Sequence, residues 1–558
     1  MNSANAALSY LCCAGTSVDG MASRRLKSAI PGGRYNSFSM PTTVTLARNT
    51  NQALGIGQYA IDFLANGQPS DKVLERVRLF HTDAVLCGLS ALALGTNAPT
   101  ILRKEALEYA DADGATVFGS STRVKAEKAV VANSSAVREW DSNGTNFGYR
   151  PEFGYTAGEF GHNDFYPVVI AACQQKNLDG ATALKAMVLL DEIRGRLAEV
   201  FSLKTYKIDH VVHGAIGSAA TYGALMGATA EQIESAIGMM VAHYIPWRAI
   251  RAGKQLSDSK GASAGISTEA AILCMKRAMN GFVGPKDIFR NPEAIFRFFE
   301  PTTEGSERWK EAGDSPFDLV LSMSGDDFAV MGMHFKLGLY EHQSAGALQG
   351  AINLVSSNPE LLEAGKISRI TILAYEPAFG IIGNPMKKEP KTRQSADHSM
   401  AYIVATLIRK AIDQGSVAAG DEAWKSLMLS PYDYQVADSA IFHPVTRGLM
   451  DKIEFLHGGP EYDEKYPDGI PTSIRIETID GKTYDSGLVM YPGGHARNTT
   501  ADLHGILAHK FGMLGALGLP DGVDVKGYVD RLESIGDLKA HELASLFDIQ
   551  VAHRPGYE

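Results

Sequence analysis

The chain has 558 residues, 45% apolar and 21% charged, the composition of an ordinary globular protein, and its charge is −10. No stretch approaches the roughly 18 uninterrupted apolar residues of a spanning helix, and the acidic balance argues against general nucleic-acid affinity, which rests on Lys and Arg neutralising phosphates. Cys12, Cys13, Cys87, Cys173 and Cys274 form no CxxC and no repeated spacing, which speaks against a disulfide framework and against a cysteine-held zinc or iron–sulfur site.

The first 48 residues carry Arg24, Arg25, Lys27, Arg34 and Arg48 against one acid, Asp19, together with seven serines. Arg-rich, Ser-rich, acid-poor composition is that of a mitochondrial presequence, so a leader over 1–48 and a matrix location are expected. From about Ile61 to Leu94 apolar residues such as Val73, Val77, Phe80 and Leu89 recur at helical spacing, with Asp71 as a candidate N-cap. Helical patterns continue over 181–201, 213–226, 230–243 and 262–279. Segments 213–226 and 262–270 are rich in Gly, Ala and Ser, which suits helices packed closely inside a bundle. After about residue 360 the texture changes. ISRITILAY (Ile367–Tyr375) alternates as a strand does, and TSIRIETIDGKTYDSGLVMY (Thr472–Tyr491) reads as two strands around an Asp480–Gly481 turn. A helical run over 396–412 lies between them, and helix returns over 504–514 and 525–535. The expected fold class is mainly α with an inserted α+β lid: a helical part over 49–330, the lid over 331–498, and a helical return over 499–558.

Some literal motifs lack their context. GASAG (Gly261–Gly265) matches a nucleophile elbow, yet polar KQLSDSK precedes it where an apolar strand is needed. GIGQYA (Gly55–Ala60) resembles a dinucleotide fingerprint without a strand before it. His210 and His213 lie three apart with no Glu in the gap, so a metal pair, with Asp141 as a further ligand, is a minor alternative.

The stronger signals are constellations on loops. REWDSNGTNFGY (Arg138–Tyr149) puts Asp141 and Thr145 just after a small, apolar helical run, and EFGHND (Glu159–Asp164) adds His162. A His and an Asp on loops at helix ends can hold a substrate or move protons. Asn163 or Asp164 would cap the helix beginning near Tyr166, which leaves His162 free. In WRAIRAGKQLSDSKGASAG (Trp247–Gly265) the cations Arg248, Arg251, Lys254 and Lys260 precede a small-residue helix and could clamp carboxylates. MHFKLGLYEHQSAGA (Met333–Ala347) contributes Lys336, Tyr340 and His342, KEPKTRQSADHSMAY (Lys388–Tyr402) is another basic loop, and YPGGHARNTT (Tyr491–Thr500) brings His495 and Arg497.

In order and spacing, WDSNGT, EFGH, IDHVVHGAIGSAATYGALMG, RAGKQLSDSKGASAG, FKLGLYEHQSA, SADHSMAY and YPGGHAR resemble the MmgE/PrpD family. The resemblance implies a two-domain homodimer, a helical domain with an α+β lid and the active site at their junction, using no metal or other cofactor. It also implies a lyase that dehydrates 2-methylcitrate to 2-methyl-cis-aconitate; decarboxylation of cis-aconitate to itaconate on the same scaffold is the alternative. By motif, the catalytic residues are expected to be Asp141, His162, His210, Lys260 and His342, with Thr145, Arg248, Arg251, Lys336 and Tyr340 binding substrate. Asp141 and His162 are expected to serve proton transfer. Many relatives read His-Pro where this chain has His162–Asn163, and the spacing from Lys336 to His342 varies among them.

Overall fold

The computed structural model describes residues 42–251, 255–298 and 313–557. The expected leader lies outside the described residues up to position 41, as do Cys12, Cys13 and Lys254. Residues 43–48 are built into the fold: Thr43–Leu46 pairs antiparallel with Leu319–Ser322, and Arg48 binds Asp318 at 2.9 Å.

Among the described residues, nine longer helices set up the first part: α1 (Gln52–Asn66), α2 (Asp71–Ala93), α3 (Asn97–Leu107), α4 (Ala126–Arg138), α5 (Tyr166–Lys176), α6 (Gly180–Val200), α7 (Val211–Met226), α8 (Ala230–His243) and α9 (Ser259–Met279). The helical run expected from Ile61 to Leu94 is two helices, parted at Gly67–Ser70, and Ser70 rather than Asp71 takes the N-cap position of α2. A helix apolar on every side has no face for water and belongs in the middle. That is the case for α7, VVHGAIGSAATYGALM, in which 14 residues are buried. Beside it α9 packs against α4, α7 and α8. Its GASAG run exists for that closeness: a Cβ on Gly265 would stand 2.6 Å from the Val131 carbonyl of α4. GIGQYA lies inside α1.

The later part holds a four-stranded sheet in the order 453–457, 367–374, 472–478, 483–485, the first pair parallel and the others antiparallel. The hairpin turns at Gly481, whose φ of +85° suits a residue without a Cβ. Helix Ala345–Ser357 packs on strand 472–478 of this sheet, and helix Met400–Gln414 packs against that helix. The chain then returns. Helix Leu503–Gly518 lies on α2, where buried Lys510 meets Asp83 at 2.7 Å and donates to the carbonyls of Ser142 (2.8 Å) and Lys336 (2.9 Å). One ammonium group thus ties the C-terminal helix, the loop after α4 and the segment that opens the sheet region. The mainly α architecture with an inserted α+β part is the one expected. Among the described residues, no single helix is long and apolar enough to cross a membrane.

Candidate active site

The buried helix α4 ends at Arg138, and the chain reverses through Asp141, whose φ is +51°. Asp is among the residues that tolerate this left-handed region best, and strained backbone of this kind concentrates at functional sites. The reversal folds the Asp141 carboxylate back onto the Arg138 guanidinium. Beyond it, strand 145–147 pairs with strand 160–162, and the register sets Thr145 opposite His162. Thr145 also exchanges backbone bonds with His334 (3.0 and 2.7 Å), drawing in the segment that carries Lys336. Asn163 and Asp164 do not cap α5 as expected. Both accept from the Asn143 side-chain amide, and Asp164 lies 3.5 Å from Arg138, so they brace the loop instead.

Asp141 is a fully buried charge hub. Beside Arg138 it receives Lys336 on its side chain and on its carbonyl (2.7 Å), while Lys260 stands 3.4 Å and His398 Nδ1 3.3 Å from Oδ2. Burial pushes its pKa up, but the charges of Arg138, Lys336, Lys260 and His398 outweigh this and hold it well below the usual carboxylate range. Such a group has no proton to give and small appetite for one. Lys260 bridges to Asp397 at 2.7 Å, and Asp397 Oδ1 accepts from His398 Nδ1 at 2.7 Å. Arg393 completes this layer through Asp397 (3.4 Å) and Glu139.

In front of the hub lies a tight cavity of about 40 Å³. Of the expected site residues, Asp141, Thr145, His162, His210, Arg248 and Arg251 line it. Lys260 and Lys336 stand one layer behind, on Asp141. Tyr340 and His342 are absent from the lining. The Tyr340 hydroxyl accepts from the Leu337 N–H at 2.9 Å, and His342 stacks with His334, ring centroids 5.0 Å apart. His213 donates from Nε2 to the Phe201 carbonyl (3.0 Å) and is a helix-packing residue. Seven wall residues were not among those expected: Arg138, Phe160, Glu341, Gln343, Ile381, Lys387 and His398.

The imidazoles on the wall are neutral. His162 Nε2 sits 3.3 Å from an Arg138 nitrogen that can only donate, so Nε2 accepts and the ring proton is on Nδ1. Burial, then the charges of Arg138 and Lys336, hold its pKa well below the usual value. His210, 5.1 Å from His162, is depressed by burial as well, and its Nδ1 is 3.4 Å from Asp209. Asp209 in turn is gripped by Arg251 at 2.5 and 3.2 Å, which commits that guanidinium to positioning. Burial and the Lys260 charge bring His398 down to about 3. Since Asp397 takes its Nδ1 proton, its Nε2 carries the lone pair.

Buried polar atoms without a partner are rare in folded proteins, and here they converge. His162 Nδ1, both nitrogens of His210, Arg248 Nη1 and both side-chain polar atoms of Gln343 are buried with no hydrogen-bond partner among the described residues. Lys387 likewise makes no ion pair there, and burial followed by the Lys260 charge pushes it down to about 8. Burial and the Asp141 charge push Glu341 up to about 7, while its carboxyl accepts from the Gln343 N–H at 2.8 Å. The wall offers donors shaped for an oxyanion-rich ligand, one carboxyl poised near neutrality and an Asp–His pair. Asp141, Asp397 and His398 also bring ligand atoms within 4.8 Å of one another, as a metal would need. The ammonium groups of Lys260 and Lys336 already fill the cation's role there, so the donor set is poorly suited to a metal.

The profile of the MmgE/PrpD N-terminal domain matches residues 56–307, and that of the MmgE/PrpD C-terminal domain matches residues 340–516. A 2-methylcitrate dehydratase of Escherichia coli (strain K12) is 24% identical over 467 residues, covering 78% of this chain and 85% of the relative. A probable 2-methylcitrate dehydratase of Saccharomyces cerevisiae is 23% identical over 493 residues, 84% and 87% of the two chains. An alkylcitrate dehydratase of a fungal species is 24% identical over 372 residues, 66% and 67% of the two.

Proposed function

This chain belongs to the MmgE/PrpD family, and from that premise we propose that it is a hydro-lyase that dehydrates 2-methylcitrate to 2-methyl-cis-aconitate by acid–base chemistry. The observation that carries the reading is the set of unpartnered buried polar atoms on one wall, from His162, Arg248 and Gln343, with the half-buried Lys387 ammonium beside them, which matches the several carboxylates of a citrate-like ligand.

The elimination breaks a C–H bond beside a carboxylate, forms C=C and expels hydroxide from the neighbouring carbon. His398 Nε2 takes the proton, its ring held in the correct tautomer by Asp397. By itself His398 is a weak base, held down by burial and then by the Lys260 charge. A bound tricarboxylate adds negative charge beside the ring and raises its basicity when the substrate is in place. Arg248, Lys387 and Gln343 hold the carboxylates and stabilise the charge that builds on one of them as the proton leaves. Glu341, near 7, donates the proton that turns departing hydroxide into water. Asp141 is assigned to holding Arg138, Lys260 and Lys336 in register rather than to moving protons. The composition of residues 1–41, with Arg24, Arg25, Lys27 and Arg34 against Asp19, supports delivery to the mitochondrial matrix, and the resemblance supports a homodimer.

Product analysis of the purified, chelator-treated protein tests this, with 2-methylcitrate and cis-aconitate supplied separately. Methyl-cis-aconitate from the first, and no carbon dioxide from the second, is the expected outcome. Itaconate with carbon dioxide would move the chemistry to decarboxylation, and no turnover of either would end the proposal.

A further inference from the structure

The cavity wall is mostly charged or hydrogen-bonding, yet two of its residues are Phe160 and Ile381. Neither serves a carboxylate, and neither has a part in the chemistry assigned above. Phe160 is fixed from two sides, with Lys204 Nζ 4.2 Å from its ring centroid and Phe147 edge-on at 5.5 Å. Ile381 rides on a single π-helical turn, Ala378–Ile382, between the strand ending at Ala374 and the Gly383 cap. Such turns are rare, and many occur at functional sites. Ala378 and Ile382 are buried and anchor the turn, which leaves half-buried Ile381 as the residue it presents to the cavity. Its branched Cβ makes χ1 stiff, so its position is well defined.

We propose that Phe160 and Ile381 form the subsite for the carbon-bound alkyl substituent of the substrate, and that Ile381 sets its upper length. This inference rests on the tricarboxylate reading and adds the specificity of the same site. A ligand with its carboxylates on Arg248, Lys387 and Gln343 and its hydroxyl toward Glu341 has one substituent left that needs no polar partner. A hydrogen there leaves the apolar wall uncovered. A methyl covers it, and a longer chain meets the Ile381 side chain. A hydrophobic pocket discriminates one methylene by about 10- to 200-fold, so the effect falls in a measurable range.

The experiment compares citrate, 2-methylcitrate, 2-ethylcitrate and 2-butylcitrate on wild type, Ile381→Ala and Ile381→Phe. It measures kcat/KM for each and, by calorimetry, Kd. Ratios between substrates on one protein cancel any general loss of active enzyme. Ile381→Ala is expected to raise the butyl-to-methyl ratio at least tenfold, and Ile381→Phe to lower the methyl-to-citrate ratio by about as much. Ratios within twofold of wild type in both variants would overturn the alkyl subsite while leaving the dehydratase reading in place. Shifted Kd ratios without turnover of any substrate would keep the subsite and sink the reaction.

Discussion

Two trios of buried histidines invite comparison. His162, His210 and His398 line the cavity, whereas His334, His342 and His495 form a ring stack outside its wall. Burial keeps all six neutral, so protonation does not tell them apart. Their partners do. In the cavity trio each ring meets a charged side chain: Arg138 at His162, Asp209 at His210, Asp397 at His398. In the stack the main chain does the work, with the Ala496 N–H donating to His334 Nδ1 (2.9 Å) and the Arg497 N–H to His495 Nδ1 (3.1 Å). Rings oriented by charges can change basicity when a charged ligand arrives. Rings oriented by backbone and by each other fill space and hold two segments together.

The sharpest way to break this contrast is to remove the charges that organise the cavity trio. Asp141→Ala leaves Lys336 buried beside Arg138 without its counter-charge, and breaking one side of such a buried pair costs about 3–5 kcal/mol. Turnover is expected to drop by about 10³-fold or more, as the donors lose register, with a lowered Tm in the same protein. Normal turnover in a folded Asp141→Ala protein would remove the hub from the mechanism.

Next come the two groups assigned to proton movement, whose pH profiles separate them. Glu341 must carry its proton to act as the acid. It does so below about 7, so wild-type kcat/KM should fall tenfold per pH unit above that point. Glu341→Gln should lower the rate about 10²-fold and flatten this alkaline limb. Asp397→Asn should cost about 10³-fold, by freeing the tautomer and orientation of His398, and should keep the limb. A limb that survives in Glu341→Gln would take the acid role from that residue.

Much of the architecture was legible because periodicity and small-residue runs report local rules. GASAG marked a helix that others approach closely, and Asp480–Gly481 marked a hairpin. Asp141, His162, His210 and Arg248 were legible as loop residues next to such helices. His398 and Asp397 were not, although SADHSMAY drew notice. Their meaning comes from Lys260 and Asp141, which lie far away in sequence and meet them through the packing of α9 against α4. Glu341 and Lys387 were invisible for a similar reason, since a carboxyl near 7 and an ammonium near 8 are made by burial and neighbours rather than by residue type. Tyr340 and His342 show the converse. Their motif pointed to the site, but the turn after Lys336 sends one side chain to the Leu337 amide and the other to the imidazole stack.

The smallest expected effect is in that stack. His495→Phe keeps a flat ring 4.1 Å from His334 and removes only the acceptor for the Arg497 N–H, so kcat should stay within about threefold while Tm drops by a few degrees, about 1–2 kcal/mol. His342 is the informative member, because neither of its nitrogens has a hydrogen-bond partner among the described residues. If it belongs with the stack, His342→Gln should lower Tm and spare kcat as His495→Phe does. A fall in kcat of more than tenfold at unchanged Tm would instead join His342 to the Asp141 and Lys336 side of the wall. The division would then run through the stack itself, between one ring held by nothing but its neighbours and two held by the main chain.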